Sequence, residues 1–111
     1  METEIFCNGS YLIIQLSGEL DQHMADQIRG RIDYGLLREG MKHMIFDFTE
    51  VSFMDSSGIG MLLKRYKQVK QLGGTLYITG CNQSILRLVK LSGLERIVVI
   101  EDTIHHVLKQ Y

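Results

Sequence analysis

Short apolar runs that alternate with stretches of helical periodicity constrain this chain more than any other feature. Runs at 11–16, 44–48, 76–79 and 97–100 have the length and the β-branched and aromatic content of strands. Between them apolar residues recur at helical spacing: Ala25, Ile28, Ile32 and Leu36, then Ile59, Leu62, Leu63, Tyr66 and Val69, then Ile85, Leu88 and Val89. A last set, Ile104, Val107, Leu108 and Tyr111, follows the final run. A strand that reaches its neighbour through a helix runs in the same direction as that neighbour, so the alternation predicts a mostly parallel sheet. Asn8-Gly9, between apolar residues at 4–7 and 11–16, is a hairpin signal, and it makes the beginning of the sheet antiparallel. The expected fold class is therefore α/β, a mixed sheet in the order ββαβαβαβα. About five strands and about four helices, the helices in a single layer, fill one domain over 1–111. Glycines punctuate the pattern. Gly40 and Gly73-Gly74 stop two of the helices, and eleven glycines with no proline argue against a linker or a disordered tail.

Charge narrows the function classes. Twelve basic against thirteen acidic residues leave a net charge of −1, so nothing in the chain as a whole calls for nucleic acid or an anionic membrane. The opening Met1-Glu2-Thr3-Glu4 is acidic, and no apolar run approaches the roughly eighteen residues of a membrane span or resembles a signal peptide. Cys7 and Cys81 lie far apart among apolar neighbours, where a buried reduced thiol is the usual state. A cytoplasmic protein is the expectation.

The hexapeptide Phe53-Met54-Asp55-Ser56-Ser57-Gly58 places two hydroxyls where an apolar strand gives way to a basic helix. Asp55, Ser56 and Ser57 are all favoured N-cap types, and capping is the ordinary work of serines at such a junction. The helix that follows carries Lys64, Arg65, Lys67 and Lys70 with no acid between Gly58 and Leu72. Added to the positive end of the helix dipole, that charge favours an anion, and a regulatory phosphate would sit well there. Gly58 and Gly60 fall in the first turns, where each costs up to about 1 kcal/mol relative to alanine, a cost accepted where another backbone comes close. Met61 is expected on the face opposite the Ile59, Leu62 and Tyr66 stripe, exposed and suited to docking.

Catalytic and cofactor readings fail for want of residues. Leu63 occupies the third glycine of a G-x-G-x-x-G, and Lys64 completes no Walker A loop. Met54 and Ser56 do not fit a G-x-S-x-G elbow. His23, His43, His105 and His106 have no metal-ligand spacing with a cysteine. Glu19 and Asp21 flank a turn where helix capping is the plain role of Asp21. Asp47, between Phe46 and Phe48, is a conceivable acceptor for a phospho-aspartate receiver, yet no acidic pair follows the first strand to hold magnesium. No cofactor is expected.

Four stretches carry a family resemblance: 17–23 (Ser-Gly-Glu-Leu-Asp-Gln-His), 53–60, 65–70 with Gly73-Gly74, and Leu91-Ser92-Gly93-Leu94. Together they resemble the anti-sigma factor antagonists, small STAS domains, and within these the sporulation branch. The resemblance spans essentially the whole chain. It implies a phosphorylation-controlled binding module rather than an enzyme. In its unphosphorylated form such a module binds an anti-sigma factor that is also a serine kinase carrying adenine nucleotide. That binding frees a sporulation sigma factor, sigma-F, and a serine phosphatase resets the switch. The resemblance makes Ser56 the phosphoacceptor, with Asp55 beside it and Ser57 as the following cap. Gly58, Gly60 and Met61 match the start of the docking helix, and Asp21 matches a loop aspartate on the same surface. An antagonist of a general-stress sigma factor shares the same fold and logic.

Overall fold

A computed structural model of the chain describes residues 3–110. Tyr111, expected on the last helix, lies outside them. Strands β1 (Thr3–Asn8) and β2 (Tyr11–Leu20) form an antiparallel pair closed by Asn8 opposite Tyr11, with Gly9 at φ 59° in the turn. Then follow α1 (Gln22–Leu36), β3 (His43–Met54), α2 (Ser56–Gln71), β4 (Leu76–Thr79), α3 (Gln83–Ser92), a short 3-10 turn over Leu94–Arg96, β5 (Val99–Glu101) and α4 (Ile104–Gln110). The sheet runs β1-β2-β3-β4-β5, in chain order, and every pair after the first is parallel.

Strand order in chain order decides where the helices go. Each crossover steps one strand in the same direction, and a common right-handed turn then sets α1, α2 and α3 on one face. Their buried residues, Met24, Ile28 and Ile32, Leu62 and Val69, Ile85 and Val89, pack there with Leu12, Ile14, Met44, Phe46 and Ile78 of the sheet. Helix α4 covers the other face, closing Val107 over Ile13, Ile45 and Tyr77. The helices therefore form two unequal layers instead of the single one expected, because α4 belongs to no strand-to-strand crossover among the described residues.

Two strands are longer than their apolar runs. β2 and β3 continue to Leu20 and Met54 with register shifts after Gln15 and Gly18, while β4 ends at Thr79 opposite Asp47. The last run is displaced too. β5 covers Val99–Glu101, since residues ahead of it fold into the 3-10 turn and leave Ile97 exposed. Polar clamps hold the β2–β3 extension. The Asp47 carboxylate accepts from Gln15 Nε2 (3.1 Å), Thr49 Oγ1 (2.6 Å), the Thr49 N–H (3.2 Å) and Thr79 Oγ1 (3.2 Å), tying three strands together where β4 stops. Asn82 caps α3 through the Ile85 N–H (2.8 Å) and donates to the Val51 and Ser52 carbonyls (3.4 Å each). Ser52 Oγ donates to the Gly18 carbonyl (3.3 Å). Such bonds satisfy groups that a two-stranded projection leaves without a ladder partner.

Both cysteines are free and half-buried, and burial pushes the Cys81 thiol up to about 11, which keeps it protonated. No described helix is long and apolar enough to cross a membrane.

Candidate phosphoacceptor and docking site

The extended β2–β3 pair carries two helix starts side by side. Leu20 pairs with Met54, so the next residues of each strand, Asp21 and Asp55, are neighbours, and the Asp55 N–H donates to the Leu20 carbonyl (3.4 Å). Each aspartate is an extended N-cap. Asp21 Oδ1 accepts from the Met24 N–H (2.9 Å) and Asp55 Oδ1 from the Ser57 N–H (2.9 Å). The cap of α2 is thus Asp55. Ser57 is not the following cap: a carboxylate accepts a backbone N–H more strongly than a hydroxyl does, and Asp55 holds the Ser57 N–H itself. Ser56 occupies the first helical position, exposed, and its hydroxyl has no hydrogen-bond partner among the described residues.

The glycines of α2 divide. A Cβ on Gly58 would fall on Met54, with Sδ at 2.6 Å, and would crowd Leu20 at 3.2 Å, so Gly58 lets the helix seat on the strand ends. It is buried and presents nothing outward. A Cβ on Gly60 meets no atom within 4 Å. Nothing inside the domain asks for glycine there.

Two expectations on α2 are corrected. Met61 is half-buried and packs against the core, since the buried stripe is Gly58, Leu62, Arg65 and Val69, turned from the predicted one; Leu63 is exposed instead. Arg65, expected to add to the field at Ser56, is only 1 % exposed. Its guanidinium donates to Asp33 of α1 (2.5 Å), to Gln68 Oε1 (2.8 Å) and toward the Arg29 carbonyl (3.4 Å). Its charge is neutralised internally. Lys67 and Lys70 stand more than two turns from Ser56, which leaves Lys64 of this helix, with the Asp26-paired Arg29 of α1 opposite, as the cations near the site. With carboxylates already capping both helix starts, the positive potential around Ser56 is largely spent.

A groove of about 530 Å³ runs from Ser56 and Ser57 past Gly60, Met61 and Lys64, with Gln22, Ala25 and Arg29 of α1 as its other wall. Asp21 and Asp55 thus shape the site by holding two helices in place, while Ser56, Gly60 and Met61 face the groove. The α1 wall escaped the sequence reading. No local pattern signals it, since Arg65 is polar to any periodicity count and becomes a core residue only through Asp33 of α1.

Asp47, weighed as a receiver-type acceptor, has both carboxylate oxygens engaged in the strand clamp. Among the described residues no group of three or more His, Cys, Asp or Glu side chains could hold a metal ion.

Residues 3–107 match the STAS domain family. The chain is 37 % identical over 102 residues to an anti-sigma F factor antagonist of Paenibacillus polymyxa, covering 92 % of this chain and 87 % of that one. It is 30 % identical over 92 residues to an anti-sigma-B factor antagonist of Listeria monocytogenes, covering 83 % and 80 %. The solved structure of the Bacillus cell fate determinant SpoIIAA in its phosphorylated form superposes with a TM-score of 0.78 at 25 % identity, covering 98 % of both chains. With its five-stranded mixed sheet, four helices and order ββαβαβαβα, this chain belongs to the STAS domain family, where its relatives are anti-sigma factor antagonists.

Proposed function

We propose that the chain, folded as one domain over 1–111, is a cytoplasmic, non-enzymatic anti-sigma factor antagonist. Its bare form docks an anti-sigma factor that is also a serine kinase with bound adenine nucleotide, and so releases the sporulation sigma factor sigma-F. Phosphorylation of Ser56 ends the interaction and a serine phosphatase restores it. One observation carries the reading: Ser56 is an exposed hydroxyl without an internal partner at the mouth of a groove whose open glycine, Gly60, has no internal purpose.

The chemistry of the switch follows from the charges present. A phosphate adds about two negative charges to a surface where Asp21 and Asp55 already stand. Docked against a partner, that charge loses water with only Lys64 and the Asp26-paired Arg29 in the groove to offset it, and losing even about 3 kcal/mol weakens binding more than a hundredfold. Ser56→Ala should therefore bind the kinase permanently and Ser56→Asp should fail to bind. Incubation of the full chain with a sporulation-type kinase and ATP, followed by mass mapping of the phosphate, tests the assignment. Phosphate chiefly on Ser57 or a threonine would overturn it. A general-stress partner is the second reading, favoured by the Listeria relative, and faster transfer from a stress-type kinase would select it.

A further inference from the structure

A second groove, of about 870 Å³, opens at the opposite end of α1, where the helix leaves Ser56 behind and passes over the edge of the sheet. Its floor is Ile5 and Cys7 of β1 with Leu12 of β2, all part of the apolar packing beneath. On its rim Tyr34 is 79 % exposed and Leu37 81 % exposed, the largest apolar exposures on this helix and its cap. Two residues of that size on one rim exceed what scattered surface apolarity explains. The rim also carries Arg31 and Arg38, neither guanidinium with a hydrogen bond or ion pair among the described residues, and no acidic side chain lines the groove. In a chain of net charge −1, this is a local excess of two unpaired cations.

Two further observations point to a bound backbone. Gly30 lines the groove from the middle of α1, where an added Cβ meets no atom within 4 Å, so a helix-weakening glycine stands there without an internal reason. By contrast Gly35, one turn on, is needed inside, since a Cβ there would meet Leu12 Cδ1 at 2.9 Å. Beside the groove β1 is the outermost strand, and its six residues include neither lysine nor proline; its one charge, Glu4, stands on the face opposite Ile5 and Cys7, away from the groove floor.

We propose that this groove takes an extended segment of another protein, laid along the free edge of β1, whose every second residue turns toward α1 and includes both apolar and acidic side chains. Main-chain bonds to β1 supply the docking, apolar side chains meet Tyr34 and Leu37, and carboxylates pair with Arg31 and Arg38. Charge complementarity selects the occupant, because a second copy of this chain would bring the same guanidinium pairs together.

Selection of a displayed random-peptide library on the purified full chain tests this. The expected winners carry apolar residues and Asp or Glu together at every second position, the set that faces α1. A synthetic winner should bind the double variant Leu37→Glu, Arg38→Glu at least about tenfold more weakly, while kinase binding through the Ser56 groove is unchanged. Both positions are exposed, so the fold is not at stake, and Arg31→Glu alone should weaken the same peptide. Winners that are basic or unpatterned, winners the double variant still holds, or no enrichment at all would overturn the proposal. So would self-association of the chain, by sedimentation, that the double variant abolishes.

Discussion

Replacing Gly60 by alanine adds a methyl group that meets no atom within 4 Å and removes a glycine from a helix interior, so stability should rise by up to about 1 kcal/mol. Under the proposed function the same methyl group obstructs the partner, and affinity should fall. Gly58→Ala should behave oppositely, destabilising by about 1–3 kcal/mol because Met54 and Leu20 have to move in a filled interior. Urea midpoints of the two variants, set beside kinase binding, check the pair. If Gly60→Ala binds as tightly as the parent, the open glycine is not a docking position. Met61→Glu is a poorer probe, since a half-buried methionine packed on the core makes its replacement a test of stability as much as of contact.

Helices α1 and α2 are joined by one buried guanidinium, and its two ends are unequal. Asp33 is half-exposed while the Arg65 side chain is 2 % exposed, so removing the acid strands a buried cation, whereas removing the base returns a carboxylate to water. Asp33→Ala should therefore destabilise more than Arg65→Leu, by about 1–3 kcal/mol against less than that, as read from urea unfolding. Equal losses would mean that the charge is solvated through the groove. This pairing also marks the limit of what could be read from the chain alone. The three crossover units were legible because strand runs and helical stripes are local patterns, and the caps Asp21, Asp55 and Asn82 sit where their residue types predict. The phase of α2 was not legible. An arginine at position 65 is polar to any periodicity count, and only a partner from α1, 32 residues away, makes it a core residue. Likewise the extension of β2 and β3 interleaves its apolar residues with polar ones, Ser17, Glu19 and Glu50 paired across the two strands and Ser52 bonded to the Gly18 carbonyl, which breaks up the apolar run.

Across the molecule, one imidazole links stability to pH. His43 opens β3, stacked against Tyr11 with ring centroids 4.8 Å apart, and its Nδ1 accepts the Thr75 N–H (3.0 Å). Burial, and then the charge of Lys42, hold its pKa below the ordinary 6.5. As pH falls past 6.5 the unfolded chain takes up this proton before the native state does, so stability declines on the acid side and is unaffected above. His43→Asn, which keeps an acceptor for Thr75, should flatten that decline in urea midpoints measured across this range. An unchanged slope would assign the decline to carboxylates. At the same scale, phosphate on Ser56 meets an exposed helix start and no packed element, so the bare and modified chains should share one backbone. Amide chemical shifts that change as far as β5 would replace local blocking with a conformational switch. The agreement between sheet order and chain order bears on how the molecule is made. Each strand that leaves the ribosome finds the previous one as a finished edge, and the large apolar layer can assemble from the N-terminus without waiting for distant sequence. The reverse face cannot. Ile13, Ile45 and Tyr77 stay wet until Val107 has been synthesised, and a nascent chain stalled before that point shows chaperones a stripe that the finished protein conceals.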